Sequence, residues 1–267
     1  MPALVMGVLN VTPDSFSDGG LWFDTDAAVA HGLDLVADGA AVVDVGGEST
    51  RPGAEPVDEA EERRRVVPVV EALAPYVRVS VDTRKAAVAE AAVEAGATLV
   101  NDVSATLWPV AAYAGVGWVA MHMRGEPATM QQDPVYDDVC GEVRTYLVER
   151  ATEAREGGVE EVWVDPGIGF GKTVTHNLVL LRELRHLVTA GFPVLVGTSR
   201  KSFLGRLTGG ADSPDPVDDR LEGSLATAAW AIRQGASMVR AHDVRPTVQL
   251  AALAGAPQPP LRSGTQP

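Results

Sequence analysis

Two sets of side chains that could do chemistry stand at the ends of short apolar runs along this chain. Asp82, Asn101 and Asp165 supply two carboxylates and an amide. Together they suit a flat, amino-substituted heterocycle whose N–H groups present a paired pattern. Arg51 (after Thr50), Lys201, Arg240 and His242 form a cationic set suited to phosphate groups, and Asn10 and His122 close two further runs. The most informative stretch is Glu161–Lys172, EVWVDPGIGFGK. Its apolar run ends in Asp165, Pro166 stops strand pairing, and Gly167, Gly169 and Gly171 let the backbone turn close to a ligand. It is not a P-loop, which needs glycine where Pro166 stands, nor a dinucleotide fingerprint, which needs a third glycine at Lys172. No His/Cys/Asp cluster has zinc-ligand spacing, whereas Mg2+ carried on a diphosphate needs few protein ligands.

These side chains need a scaffold that brings the ends of separate runs together. The runs read as strands at Ala3–Leu9, Ala41–Val45, Val77–Val81, Thr98–Val100, Gly117–Ala120, Val162–Val164, Pro193–Val196 and Met238–Val239. They are short and continuously apolar, as in strands buried on both faces of a parallel sheet. Helices are predicted at Asp24–Asp38, Asp58–Leu73, Lys85–Ala95, Val110–Ala114, Asp138–Glu156, Leu178–Val188, Leu221–Gln234 and from Pro246 onward. Asp58, with Glu61 three residues on, marks one helix start. Eight such units predict an α/β fold, a single (β/α)8 TIM-type barrel over residues 1–255. An open doubly wound sheet is the alternative. Residues 256–267, rich in Pro, Gly and Gln, are expected to be a disordered tail. In a barrel the site lies at the carboxyl ends of the strands, where both sets of side chains would meet.

Composition narrows the partners. With 36 acidic against 22 basic residues the net charge is −14, which argues against nucleic acid or a membrane surface. An anionic ligand then requires local Arg, Lys or backbone amides. Cys140 is the one cysteine, so no internal disulfide forms, and it reads as a half-buried helix residue. Without a charged leader or a membrane-length apolar run, the protein is expected in the cytoplasm.

Seven stretches, in order, resemble the dihydropteroate synthase family. They are MGVLNVTPDSFSDG from Met6, DVGGESTRPG from Asp44, SVDT from Ser80, NDV from Asn101, DPGIGFGK from Asp165, GTSRK from Gly197 and RAHDV from Arg240. The resemblance spans residues 4–254 and implies an eight-stranded barrel, commonly a homodimer, in folate synthesis. Such an enzyme condenses a dihydropterin-methyl diphosphate with 4-aminobenzoate, releases diphosphate and is the sulfonamide target. Carried onto this chain, the resemblance implies that Asp82, Asn101 and Asp165 hold the pterin, with Lys201 beside them. Met121 and Met123 bracket that pocket, and at least one of them is expected to pack against the heterocycle as filler. Asn10, Arg240 and His242 would hold the diphosphate, with Mg2+ on Asn10 and the phosphate oxygens. Thr50, Arg51, Pro52 and Ser202 would border the 4-aminobenzoate pocket, and Phe170 would wall it. Catalysis would fall to Asp82, Asp165, Lys201, Arg240 and His242, by positioning and electrostatics rather than covalent chemistry. The loops around Asp14–Phe16 and Ser49–Gly53 are expected to close over the bound diphosphate. Two alternatives are a pterin-dependent methyltransferase barrel and a non-catalytic pterin-binding relative. The first would not need the two early loops or Ser199-Arg200-Lys201; the second should have lost Arg240 or His242.

Other residues have plainer readings. His31 belongs to a helix surface, and His176 and His186 read as solvated. His122 could serve either structure or pocket. Glu59–Arg65 reads as a solvated helix face with opposite charges three and four apart. Trp108 and Trp118 suit core or interface. The segment after Asn101 is short and lacks a glycine pair, which leaves the local shape beside Asn101 open.

Overall fold

The computed structural model describes residues 3–12, 25–49, 56–127, 129–210 and 212–255. Thr50, Arg51, Pro52, the stretch Asp14–Phe16 and the tail 256–267 lie outside the described residues. The strands are β1 (Leu4–Asn10), β2 (Val42–Gly46), β3 (Arg78–Asp82), β4 (Leu99–Asp102), β5 (Gly117–Met121), β6 (Val162–Asp165), β7 (Leu195–Gly197) and β8 (Met238–Ala241). All pair in parallel, in the order β6-β5-β4-β3-β2-β1-β8-β7. A lone bridge, Val164 to Val194, joins the two ends and rolls the sheet into a barrel. The doubly wound alternative falls.

The helices between them are α1 (Thr25–Ala37), α2 (Glu59–Leu73), α3 (Ala86–Glu94), α4 (Trp108–Ala114), α5 (Val139–Glu156), α6 (Val174–Arg182), α7 (Leu184–Val188), α8 (Ser202–Thr208), α9 (Leu221–Gln234) and α10 (Val244–Ala254). Asp58 caps α2 as expected, accepting from Glu61 N at 2.8 Å. The helix predicted at Leu178–Val188 is instead two. It begins at Val174 because Thr173 and His176 exchange hydrogen bonds in a capping box, and it breaks at Glu183. His176 is thus a capping residue, while His186 is exposed as expected. The short helix α8 was not anticipated from the sequence.

Strand geometry explains how the site is built. Met6, Val42, Leu99, Val119, Trp163, Leu195 and Met238 form an apolar cluster of their own, one residue from each of seven strands. This is the plug of the barrel interior, separate from the larger core between strands and helices. Side chains two residues further along a strand face the same way. Above the plug those positions are Val8, Asp44, Asn101, Met121, Asp165, Gly197 and Arg240. On β2, β4, β6 and β8 the interior therefore turns from apolar to polar within one step along the strand.

Candidate active site

Arg240 is the centre of that polar layer. Its Nε donates to Asp44 Oδ2 at 2.6 Å and its Nη2 to Asp82 Oδ2 at 2.8 Å. Asn101 Nδ2 donates to the same Asp44 oxygen at 2.9 Å. β2, β3, β4 and β8 are thereby joined across the barrel mouth. Asp44 is fully buried, and its Oδ1 has no hydrogen-bond partner among the described residues. Burial pushes Asp82 up to about 7; Arg240 opposes this and the Asp44 carboxylate adds to it. Arg240 keeps its charge despite burial, held up by Asp44 and Asp82.

On the opposite side, Asp165 ends β6 and its Oδ1 accepts from Gly167 N at 2.7 Å. Burial raises Asp165 to about 6, against the pull of the Gly167 N–H and Lys201. Lys201 Nζ lies 4.0 Å from the centre of the Phe170 ring, a cation–π contact. Its neighbour Arg200 sits at φ 58°, and its backbone is pinned by Ser224 Oγ on the N–H and by Arg220 on the carbonyl. The Arg200 side chain forks onto Asp243 at 2.6 and 3.0 Å. This tight turn sends Arg200 away from the mouth and presents Ser199 and Lys201 on its two flanks. Ser199 Oγ meets His242 Nδ1 at 3.0 Å and the His242 N–H at 3.1 Å.

Most predicted site residues converge here, with two corrections. Arg240, read with the phosphate set, also ties the acids together. His242 is not a cation at neutral pH: burial, with Arg240 and Arg200 nearby, lowers it to about 3. Glu59–Arg65 is not simply a solvated face, since Glu62 and Arg65 are buried. Glu62 accepts from Thr83 Oγ1 at 2.7 Å and from Lys85 Nζ at 2.5 Å, and Lys85 also reaches Glu48 and the Val57 carbonyl. That ion cluster secures the end of β3, where Asp82 stands. Thr83→Val should therefore cost about 2 kcal/mol of stability, read as a shift in the urea midpoint, because a hydrogen bond to a buried charge is lost.

Asn10 lies half-buried at the end of β1, Met123 half-buried after β5, and Ser202 exposed at the start of α8. His122 proves structural: it is 6 % exposed and bonded to Lys172. Trp118 is core, its Nε1 donating to Asp102 at 3.2 Å. The Asp102 carboxylate also collects the N–H groups of Ser104, Thr106 and Leu107, which shapes the short segment after Asn101 without a glycine pair. Sequence reasoning gave no role to Asp44 or Lys172. Counting in twos from the plug would have found Asp44.

Two acids and an amide braced by a buried arginine, with a lysine alongside, suit a flat amino-substituted heterocycle. Residues 6–242 match the family described as pterin binding enzyme. The chain is 49 % identical over 265 residues to the dihydropteroate synthase of Mycobacterium leprae, covering 96 % of this chain and 93 % of that one. It is 46 % identical over 253 residues to that of Escherichia coli, covering 92 % and 88 %. The structure of Yersinia pestis dihydropteroate synthase in a sulfonamide drug complex superposes with a TM-score of 0.87 at 43 % identity, covering 95 % of this chain and 93 % of that one. The Xanthomonas albilineans enzyme in complex with 7,8-dihydropteroate gives 0.83 at 42 %, covering 94 % and 92 %. The chain belongs to the dihydropteroate synthase family. It is a transferase of folate synthesis.

Proposed function

We infer that the rim of this barrel is where the chain condenses (7,8-dihydropterin-6-yl)methyl diphosphate with 4-aminobenzoate, giving 7,8-dihydropteroate and diphosphate. The observation that carries the assignment is the locked array of Asp44, Asp82, Asn101 and Arg240 above the apolar plug. Its carboxylates and amide stand together at strand ends, the donor and acceptor types that a flat aminopyrimidine needs. Asp82, Asn101 and Asp165 hold the pterin edge, Lys201 sits beside it, and Met123 packs on the ring. Phe170, under Lys201, walls the neighbouring 4-aminobenzoate pocket, which Ser202 borders together with Thr50, Arg51 and Pro52.

The aniline nitrogen attacks the methylene carbon, an N–C bond forms, the C–O bond breaks with its electron pair leaving on diphosphate, and the alkylated nitrogen gives up one proton to the departing diphosphate or to water. The protein's part is positioning and charge. Lys201 and Arg240 stabilise the departing anion, and neutral His242, steadied by Ser199, contributes a hydrogen bond rather than a charge. Asp82 and Asp165 steady the electron-poor ring as the bond breaks. Among the described residues no three His, Cys, Asp or Glu side chains make a metal-binding group. In this reading Asn10, half-buried at the end of β1, would hold Mg2+ carried by the substrate diphosphate, and the ion when bound would neutralise charge on the leaving group. Among the described residues no helix is long and apolar enough to cross a membrane. We read the enzyme as cytoplasmic and as a homodimer, and exposed Trp230 on α9 with Leu178 on the adjoining α6 supports the second with apolar surface.

The decisive assay follows diphosphate release from the dihydropterin substrate with and without 4-aminobenzoate and Mg2+. Release that requires 4-aminobenzoate, yields dihydropteroate and is blocked by a sulfonamide is the expected result. Tight pterin binding without turnover would overturn it in favour of a non-catalytic relative.

A further inference from the structure

Lys172 is 2 % exposed, yet the reaction gives it nothing to do. Its ammonium donates to Phe170 O at 3.0 Å and His122 O at 3.3 Å, and meets His122 Nδ1 at 3.0 Å. His122 is held neutral, lowered by burial to about 3, so Nδ1 can offer a lone pair. Three protons thus meet three acceptors, and none of those acceptors is a carboxylate. The partners come from two loops, those after β5 and β6, which Tyr136 also ties by donating to Gly171 O at 2.9 Å. Within the second loop Gly167 donates to Asp165, and a Cβ built on Gly167 would lie 3.5 Å from Lys172 Nζ. The buried charge therefore backs the turn that aims Asp165.

We propose that Lys172 is a positioning residue for Asp165: its ammonium fixes that turn and favours the ionised carboxylate that the pterin needs. This rests on the reading of Asp165 as a pterin ligand. The other charged groups facing the pair are Lys201 from the turn after β7, Arg240 from β8 and Arg124 from the loop after β5. Burial raises Asp165 to about 6, and Lys172 is one of the charges that opposes the rise. Burial lowers Lys172 to about 7, with Asp165 opposing in turn. The sign follows. Without the ammonium Asp165 keeps its proton to higher pH, so pterin affinity is lost sooner as the solution is acidified.

The test is calorimetric affinity for the dihydropterin diphosphate across pH for Lys172→Met, Lys172→Gln and Lys172→Arg, with Asp165→Asn as control. The acidic limb is expected to move up by roughly 0.3 pH unit in Lys172→Met and Lys172→Gln, since Lys201 and Arg240 act more strongly on Asp165, and to stay in place in Lys172→Arg. KM for the pterin substrate should rise about tenfold while KM for 4-aminobenzoate changes less than about twofold. Asp165→Asn binding as wild type would sink the reading of Asp165 itself. Loss in Asp165→Asn with an unmoved limb in the neutral variants overturns the role of Lys172 alone. Failure of both neutral variants to fold would make Lys172 a folding determinant and overturns the proposal as well.

Discussion

Arg240→Met is expected to cost about 3–5 kcal/mol of stability, and kcat should fall on the order of 10²–10³-fold. The stability loss follows from what the guanidinium balances. It lies between Asp44, fully buried, and Asp82, largely buried, and methionine would fill the space while leaving both acids uncompensated. The catalytic loss follows from removing a charge beside the departing diphosphate and from releasing Asp82. Urea denaturation and steady-state kinetics separate the two. The double variant Asp44→Asn with Arg240→Met should regain part of the stability, since one orphaned acid is gone, and none of the turnover. A single variant as stable as wild type would show that the acids do not depend on Arg240.

Gly167→Ala should cost about 3–4 kcal/mol and weaken pterin binding with it. The residue sits at φ 64°, which costs a residue bearing a Cβ about 1–2 kcal/mol by itself. The new methyl would also collide with the His122 carbonyl oxygen, forcing apart the two loops that flank Asp165. Gly115→Ala is the matched control, because it has φ 67° with nothing near its missing Cβ. Only the conformational cost should appear there, and the difference between the two thermal unfolding free energies measures the crowding. Equal losses would mean that the close packing of the loops carries no energy.

The sequence made the rim legible where a strand stopped in a polar residue, as at Asp82, Asn101 and Asp165, since a buried polar group at a strand end must be paired or used. Asp44 was harder to see because it lies inside the run Val42–Val45, where valines on either side mask a change of face. Glu62 and Arg65 were misread because charges three and four apart look the same on a wet helix face and in a buried cluster. Lysine is rarely interior, and nothing in the motif that Lys172 ends distinguishes a buried ammonium from a solvated one, so it was given no role. The break between α6 and α7 carries no glycine or proline to announce it; only packing settles it. The barrel itself was readable because eight short apolar runs recur with helices between them.

The wall of this cylinder has a seam. β1 and β2 share five registered pairs, whereas β6 meets β7 at a single bridge, Val164 to Val194. The seam runs between the strand that ends in Asp165 and the strand that leads to Lys201. A widening there would change the gap between the acid and the lysine without breaking a paired ladder. The floor of the mouth has no such joint, because Arg240 braces β2, β3 and β8 across it. The mouth is thus jointed on one side and cross-braced on the other.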